Sequence, residues 1–125
     1  MVTHAGDKGL LQAYLTQGTF WLRLYANDLT PQKADAIAAY QEPFGSGYGP
    51  IALNTGLWNV SGPPPLAVYP QMTFAFTGAL GLMYGYFIEA PDGTLFGAER
   101  FSNGPYNIQR NGDVIKVTPT VIRET

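Results

Sequence analysis

The chain has no cysteine, a single histidine and few charged residues. Without cysteine it cannot form a disulfide, a thiolate metal site or a cysteine nucleophile. The one histidine, His4, has no second histidine with which to share a metal ion, so a three- or four-ligand zinc or copper site is not expected. We therefore predict that the protein holds neither a metal nor a cofactor.

Charge is scarce, and the basic residues form no cluster in the sequence. Charged residues make up 13% of the chain, against an average of about 25%. The seven Lys and Arg residues are scattered and the formal net charge is -2, so no basic patch is expected and binding to nucleic acid or to an anionic membrane is disfavoured. Hydrophobic residues reach 46% and aromatic residues 14%, and this apolar surface requires a core or a protein interface.

Long apolar runs are also missing. The longest nearly uncharged stretch, residues 45–88, is interrupted by three consecutive prolines and by many glycines, which is not the pattern of a membrane-spanning helix. The first residues, MVTHAGDKG, show no basic segment followed by an apolar run. We therefore expect a soluble protein that is made in the cytoplasm without a secretory signal.

The pattern of the remaining sequence predicts an all-β fold in a single domain, residues 1–125. Fifteen glycines and ten prolines divide the chain into short segments, most with a period of two. An exception is GLLQAYLT, whose apolar spacing behind Asp7 predicts a short helix at about residues 8–16. Pro119 requires an edge, a bulge or a break in the last strand. We predict an antiparallel β-sandwich or jelly roll with strands at 19–25, 48–53, 56–60, 71–77, 83–89, 94–101 and 114–123.

Two glutamates flank a turn in the segment YGYFIEAPDGTLFGAERF, residues 84–101. Paired carboxylates can perform acid and base chemistry. The turn Ala90-Pro91-Asp92-Gly93 predicts a three-residue hairpin loop. If Ala90 pairs with Thr94, Glu89 and Glu99 share a face but lie roughly 13 Å apart. Glycosidases need about 5.5 to 9.5 Å between carboxyl groups, so we predict that the protein is not an enzyme.

The same pairing assigns the two faces of the hairpin. One face, expected to point into the core, carries Tyr84, Tyr86, Ile88, Phe96 and Ala98. The other face mixes aromatic and acidic side chains around Gly85 and Gly97, where another backbone could approach closely. Such a mixed surface suits a protein interface as well as a half-exposed strand. The candidate interface residues are Phe87, Glu89, Leu95, Glu99 and Phe101.

Three further patterns have a possible chemical reading. GSGYG, residues 45–49, lacks the Gly-Lys-Ser/Thr ending of a phosphate-binding loop, which favours a flexible loop. Asn27 and Asp28 could bind calcium, but they lack the alternating acidic spacing of a calcium loop and fit a turn equally well. Five aromatic residues could form a sugar-stacking platform, although aromatic residues more often fill a core or an interface: Tyr25, Tyr40, Tyr48, Trp58 and Tyr69.

Two phrases of the sequence carry a family resemblance. They are LRLYANDLTP, residues 22–31, and the hairpin segment at residues 84–101. The order of the segments resembles that of small virion structural proteins of tailed bacteriophages, in particular cement or decoration proteins of the outer capsid. The resemblance implies a β-sandwich without a catalytic site, made in the host cytoplasm and located on the outer capsid surface. The implied partners are the major capsid protein and other copies of the chain, in a homotrimer or another small homo-oligomer.

Two other functions are compatible with the same sequence. One is a tail-tip, baseplate or fibre-attachment subunit of the virion. The other is a carbohydrate-binding module, with Trp21 or Trp58 as its stacking platform.

Overall fold

The computed structural model describes residues 13–32, 35–62 and 65–122. Within these ranges every paired strand is antiparallel, so the predicted all-β class is confirmed. The predicted N-terminal helix falls largely outside the described residues, and of its span residues 13–15 are α-helical. Two 3₁₀ helices occupy Ile37–Ala39 and Thr55–Leu57. The strands are β1 (Phe20–Tyr25), β2 (Ile51–Leu53), β3 (Asn59–Ser61), β4 (Leu66–Val68), β5 (Met72–Ala75), β6 (Gly81–Met83), β7 (Gly85–Glu89), β8 (Leu95–Arg100), β9 (Tyr106–Ile108), β10 (Val114–Val117) and β11 (Thr120–Ile122).

The largest sheet has the strand order β2-β1-β7-β8. In β1 the alternation of side chains sends Phe20, Leu22 and Leu24 into the main core, where each is fully buried. The intervening side chains of β1 project from the outer face of the sheet. Both faces are covered, as the apolar character of both sides of β1 predicts.

Three smaller antiparallel sheets complete the described part of the fold, with orders β10-β5, β11-β4-β3 and β6-β9. β4 and β5 run alongside β11 and β10, and prolines interrupt both sides of this long ladder. Pro119 separates β10 from β11, which confirms the break predicted there. The ladder continues across the gap because the Tyr69 amide donates to the Pro119 carbonyl over 2.9 Å.

One main core draws side chains from all four sheets. Phe74 and Phe76 enter it from the segment around β5, with the exposed Thr73 and Ala75 pointing the other way, as their alternation predicts. An aromatic group fills the end of the core nearest the N-terminal helix, and its rings meet at tilted or edge-on angles that suit their quadrupoles. Its members are Tyr14, Phe20, Trp58, Tyr69 and Phe96.

A second, smaller core covers the outer face of the large sheet. The connection between β1 and β2 crosses this face and places Tyr40 against Tyr25 and Phe87, with ring centroids 5.1 and 5.2 Å apart. Gly85 makes the packing possible, because a Cβ there would lie 2.6 Å from the Tyr25 ring and 2.3 Å from the Glu99 carbonyl oxygen. The close approach predicted at Gly85 is therefore made by a side chain of the same chain.

The hairpin of β7 and β8 contains a bulge that the sequence did not predict. Its turn is as expected: the Ala90 amide donates to the Thr94 carbonyl over 2.9 Å and Gly93 has φ +86. Glu89 pairs with Leu95, but Ile88 then pairs with Gly97, so Phe96 is an extra residue on β8. From Gly97 to Arg100 the predicted register is therefore wrong by one residue. The side chains of this part of β8 point to the face opposite to the predicted one.

Candidate protein-interaction site

The five predicted interface residues do not share one surface. Glu99 pairs with Tyr86, and Glu89 lies three positions along β7, so the two glutamates project from opposite faces of the hairpin. The prediction that they share a face is wrong because of the bulge at Phe96. Phe87 is 3% exposed and lies under the ring of Tyr40, so its assignment to an open surface is also wrong. The connection from β1 to β2, which the strand pattern does not place, covers it.

Glu89 belongs to an ion-pair network on the outer face. Arg23 donates from one terminal nitrogen to Glu89 over 2.9 Å and from the other to both carboxylate oxygens of Glu42, over 3.0 and 3.1 Å. Partial burial lowers the pKa of Arg23, but the hydrogen bonds and charges of the two carboxylates outweigh it and the pKa is raised. Tyr48 also donates to Glu42 and accepts from the Leu24 amide. Glu89 is therefore held in a structural role within the chain.

Two of the predicted residues reach an open site. Leu95 and Glu99 line a cleft of about 430 Å³ between the edges of β8 and β11, which we call the β8–β11 cleft. Phe101 instead packs against Tyr86 and Tyr106, with ring centroids 6.3 and 4.9 Å away. The remaining walls of the cleft come from Pro31, Gln32, Asp35, Tyr40, residues 96–98 and Thr120–Ile122.

Unpaired strand edges form two walls of the β8–β11 cleft. Among the described residues β8 pairs with β7 alone and β11 with β4 alone. The second edge of β8 leaves backbone groups available to an added strand or loop, the usual basis of strand-mediated recognition. On β11 the Thr120 amide already donates to the Tyr86 hydroxyl. The base of the cleft is narrow at Gly97, because the Val121 side chain lies 3.0 Å from the position that a Cβ on Gly97 would take. The predicted close approach at Gly97 is thus made by β11 of the same chain.

The polar part of the cleft consists of two carboxylates held by tyrosines. Asp35 accepts from the Tyr40 hydroxyl over 3.0 Å, and Glu99 accepts from the Tyr86 hydroxyl over 3.0 Å. Burial raises the pKa of both phenols. The hydrogen bond to the Asp35 carboxylate raises the pKa of Tyr40 further. Among the described residues, those lining the cleft include no Lys, Arg or His. This described lining mixes apolar and polar side chains with two carboxylates, and it suits an uncharged or a basic group.

A second exposed feature was missed by the sequence analysis. Phe44 is 97% exposed, more than the other exposed large hydrophobic side chains in the described ranges. It lies in residues 42–48, which we call the Phe44 loop. Three hydrogen bonds hold this loop: Tyr48 amide to Gly45 carbonyl, Thr77 amide to Ser46 carbonyl, and Ser46 hydroxyl to Ala79 carbonyl, over 2.9, 2.8 and 2.9 Å. The sequence does contain a signal for an apolar surface in this region, since no charged residue occurs between Pro43 and Ile88.

The other candidate sites resolve into structural contacts. Asn27 joins the Ala39 carbonyl to the Gln41 amide, and Asp28 pairs with Arg100 over 2.6 Å. Of the proposed sugar platform, Tyr25, Tyr40 and Tyr69 are buried. Trp58 lies edge-on to Phe20, Tyr69 and Phe96, and its indole nitrogen is buried without a hydrogen-bond partner among the described residues. These aromatic residues pack the interior and do not form an exposed platform.

The described residues offer neither a clustered metal site nor a helix that could span a membrane. Residues 13–32, 35–62 and 65–122 contain no group of three or more His, Cys, Asp or Glu side chains placed to hold a metal ion. The helices in that part of the chain are all too short or too polar to cross a bilayer.

Comparison with protein-family models, with curated proteins and with solved structures found no match to this chain.

Proposed function

We propose that the protein is a non-enzymatic virion structural protein of a tailed bacteriophage, which binds the outer capsid and reinforces contacts between capsomers. The observation that supports this most directly is the β8–β11 cleft, where the second edge of β8 has no strand partner among the described residues. Open strand edges are normally shortened, charged or covered because they promote association. A strand of six residues with one such edge is suited to contact with another protein.

The shape of the core supports the finer description of the fold. Side chains from all four antiparallel sheets meet in one hydrophobic interior. We propose that the sheets form a β-sandwich, the arrangement that the family resemblance implies, of the jelly-roll type that the number and spacing of the predicted strands favour. A rigid domain of this type presents its edges and loops to partners without changing its core.

The scarcity of charge supports a role in a protein assembly. The 46 residues from Pro43 to Ile88 carry no charged side chain and no histidine, and Phe44, Leu57 and Leu82 in this stretch are exposed. Charged residues are depleted at the centres of protein interfaces, where aromatic residues are enriched. Repetition on a capsid shell also allows modest individual contacts to hold by multivalency.

Binding to capsids tests the proposal. Heads of the phage that encodes the chain, stripped of the protein, are mixed with purified protein and sedimented. We expect saturable co-sedimentation at a fixed number of copies per head. We expect Ile122→Asp, which places a charge in the β8–β11 cleft, to weaken binding at least about tenfold. The matched control is Val114→Asp, since Val114 is a similarly exposed strand residue, 48% against 54%, and lies outside the cleft. No binding by the unaltered protein would contradict the function.

A further inference from the structure

We propose that the occupant of the β8–β11 cleft is the Phe44 loop of a second copy of the chain, so that copies assemble head to tail. The inference rests on the proposed function, because it identifies the partner at the cleft that function uses. One chain carries two complementary features. One is an aromatic side chain that protrudes almost completely into solvent, and the other is an open cleft whose mixed lining includes the apolar side chains of Leu95, Ala98 and Ile122.

The two features lie at opposite edges of the large sheet. β8 is one edge of the order β2-β1-β7-β8. The Phe44 loop lies at the other edge, because it leads into β2 and its Tyr48 hydroxyl accepts a hydrogen bond from the Leu24 amide beyond the end of β2. A protomer therefore carries the protruding group on one side and the receiving cleft on the other. Such a contact is heterologous, and its repetition gives either a closed ring or an open filament.

The Phe44 loop is held in place before any partner binds. The Ser46 carbonyl accepts from the Thr77 amide and the Ser46 hydroxyl donates to the Ala79 carbonyl, and the Tyr48 ring stacks on the buried Phe74 with centroids 5.8 Å apart. Ser46 has φ +50, a left-handed conformation unusual for a residue with a side chain. A loop fixed in this way loses little conformational entropy on docking, which favours its use as an anchor.

The chemistry of the cleft fits an aromatic anchor. Leu95, Ala98 and Ile122 supply apolar contacts, and the volume of about 430 Å³ lies in the range of about 300–1,000 Å³ that holds drug-sized groups. The acidic margin is also compatible, since carboxylates at Asp35 and Glu99 meet the positive edge of an aromatic ring favourably. Within the Phe44 loop the one charged residue is Glu42, which already pairs with Arg23. The loop thus brings no unpaired carboxylate into an acidic cleft.

Mixing two assembly-defective variants tests the contact without capsids. Phe44→Ser removes the anchor and leaves the cleft intact, whereas Ile122→Asp alters the cleft and leaves the anchor intact. Sedimentation velocity should show a closed oligomer for the unaltered protein and for the control Val114→Ser, at a strand residue that is also exposed but lies outside both features. Each defective variant alone should be monomeric, with association weakened at least about tenfold. Their equimolar mixture should form a one-to-one heterodimer, because one intact Phe44 loop and one intact cleft remain.

Several results would overturn the inference. A two-fold interface made by the β8–β11 clefts of two copies would be broken by Ile122→Asp, unaffected by Phe44→Ser and not restored by mixing. A monomeric unaltered protein, or variants that assemble as it does, would equally contradict it. Circular dichroism and the free energy of unfolding of each variant establish that a lost assembly is not a lost fold. Co-sedimentation with capsids is measured separately. An unaltered protein that is monomeric but still binds capsids would contradict the head-to-tail contact and leave the proposed function standing.

Discussion

The hydroxyl of Tyr86 lies 3.1 Å from the backbone nitrogen of Thr120 and accepts its hydrogen bond. The same hydroxyl donates to Glu99 over 3.0 Å. One side chain of β7 therefore joins the large sheet to β11 and fixes one margin of the β8–β11 cleft. The width of the proposed binding site depends on this contact.

Replacing Tyr86 with Phe should destabilise the protein and loosen β11. The change leaves the partly buried Thr120 amide and the Glu99 carboxylate without this partner, at a cost of about 1–2 kcal/mol in the free energy of unfolding. Urea denaturation measures that cost, and hydrogen exchange at the Thr120 amide reports the local opening. Tyr106→Phe removes a hydroxyl from the neighbouring pair with Phe101 and serves as the control. Unchanged exchange at Thr120 would contradict the role assigned to Tyr86.

Replacing Gly85 with Ala should disrupt the second core. The added methyl group would lie 2.3 Å from the Glu99 carbonyl and 2.6 Å from the Tyr25 ring, and neither the strand backbone nor a fully buried ring can move freely. We expect a loss of about 3 kcal/mol in the free energy of unfolding, the upper part of the range for overpacked cores. Gly49→Ala is the control, since a Cβ there meets nothing within 4 Å, and it should change stability by less than about 0.5 kcal/mol. Equal stability of the two variants would refute the close packing of Gly85 against the Tyr25 ring and the Glu99 carbonyl.

Stability should fall steeply at alkaline pH. Burial raises the pKa of Tyr25 to about 12, above the value of about 10 for an exposed tyrosine. The folded state therefore holds its phenolic proton more tightly than the unfolded state. The resulting stability is complete below about pH 10 and declines as the pH rises towards about 12.

Thermal unfolding followed across this pH window checks the prediction. Burial also raises the pKa of Tyr40, Tyr48 and Tyr86, so the decline should be steep and should coincide with the ionisation of these four tyrosines, followed by their NMR signals. Ionisation of any of the four near pH 10 while the protein stays folded would contradict the burial of that ring.

The sequence predicts the class of the fold because its longer strands carry a clear period of two. β1, β5, β7, β8 and the interruption at Pro119 follow the predicted segments. β4, β6 and β9 were missed, since strands of three residues are too short to show an alternation. The register of β8 was missed because the turn residues specify pairing at Glu89 and no residue type marks the bulge at Phe96.

The candidate site was predicted only in part, and the reason is tertiary. Leu95 and Glu99 do line an open cleft, but Phe87 and Glu89 are covered or paired by the connection from β1 to β2. A connection of this kind has no periodicity that would place it on a sheet face. The Phe44 loop was treated as a flexible segment, since its glycines predict a turn but not the hydrogen bonds to Thr77 and Ala79.

Electron cryo-microscopy of virions that carry the protein tests the central proposal most directly. We expect density for this domain on the outer capsid surface, where it bridges neighbouring capsomers. Neighbouring copies should touch through the Phe44 loop of one and the β8–β11 cleft of the next. Density on the tail alone, above bare capsomers, would contradict the cement function and favour a tail-tip, baseplate or fibre-attachment subunit. Absence of the chain from purified virions would contradict a structural role in the particle altogether.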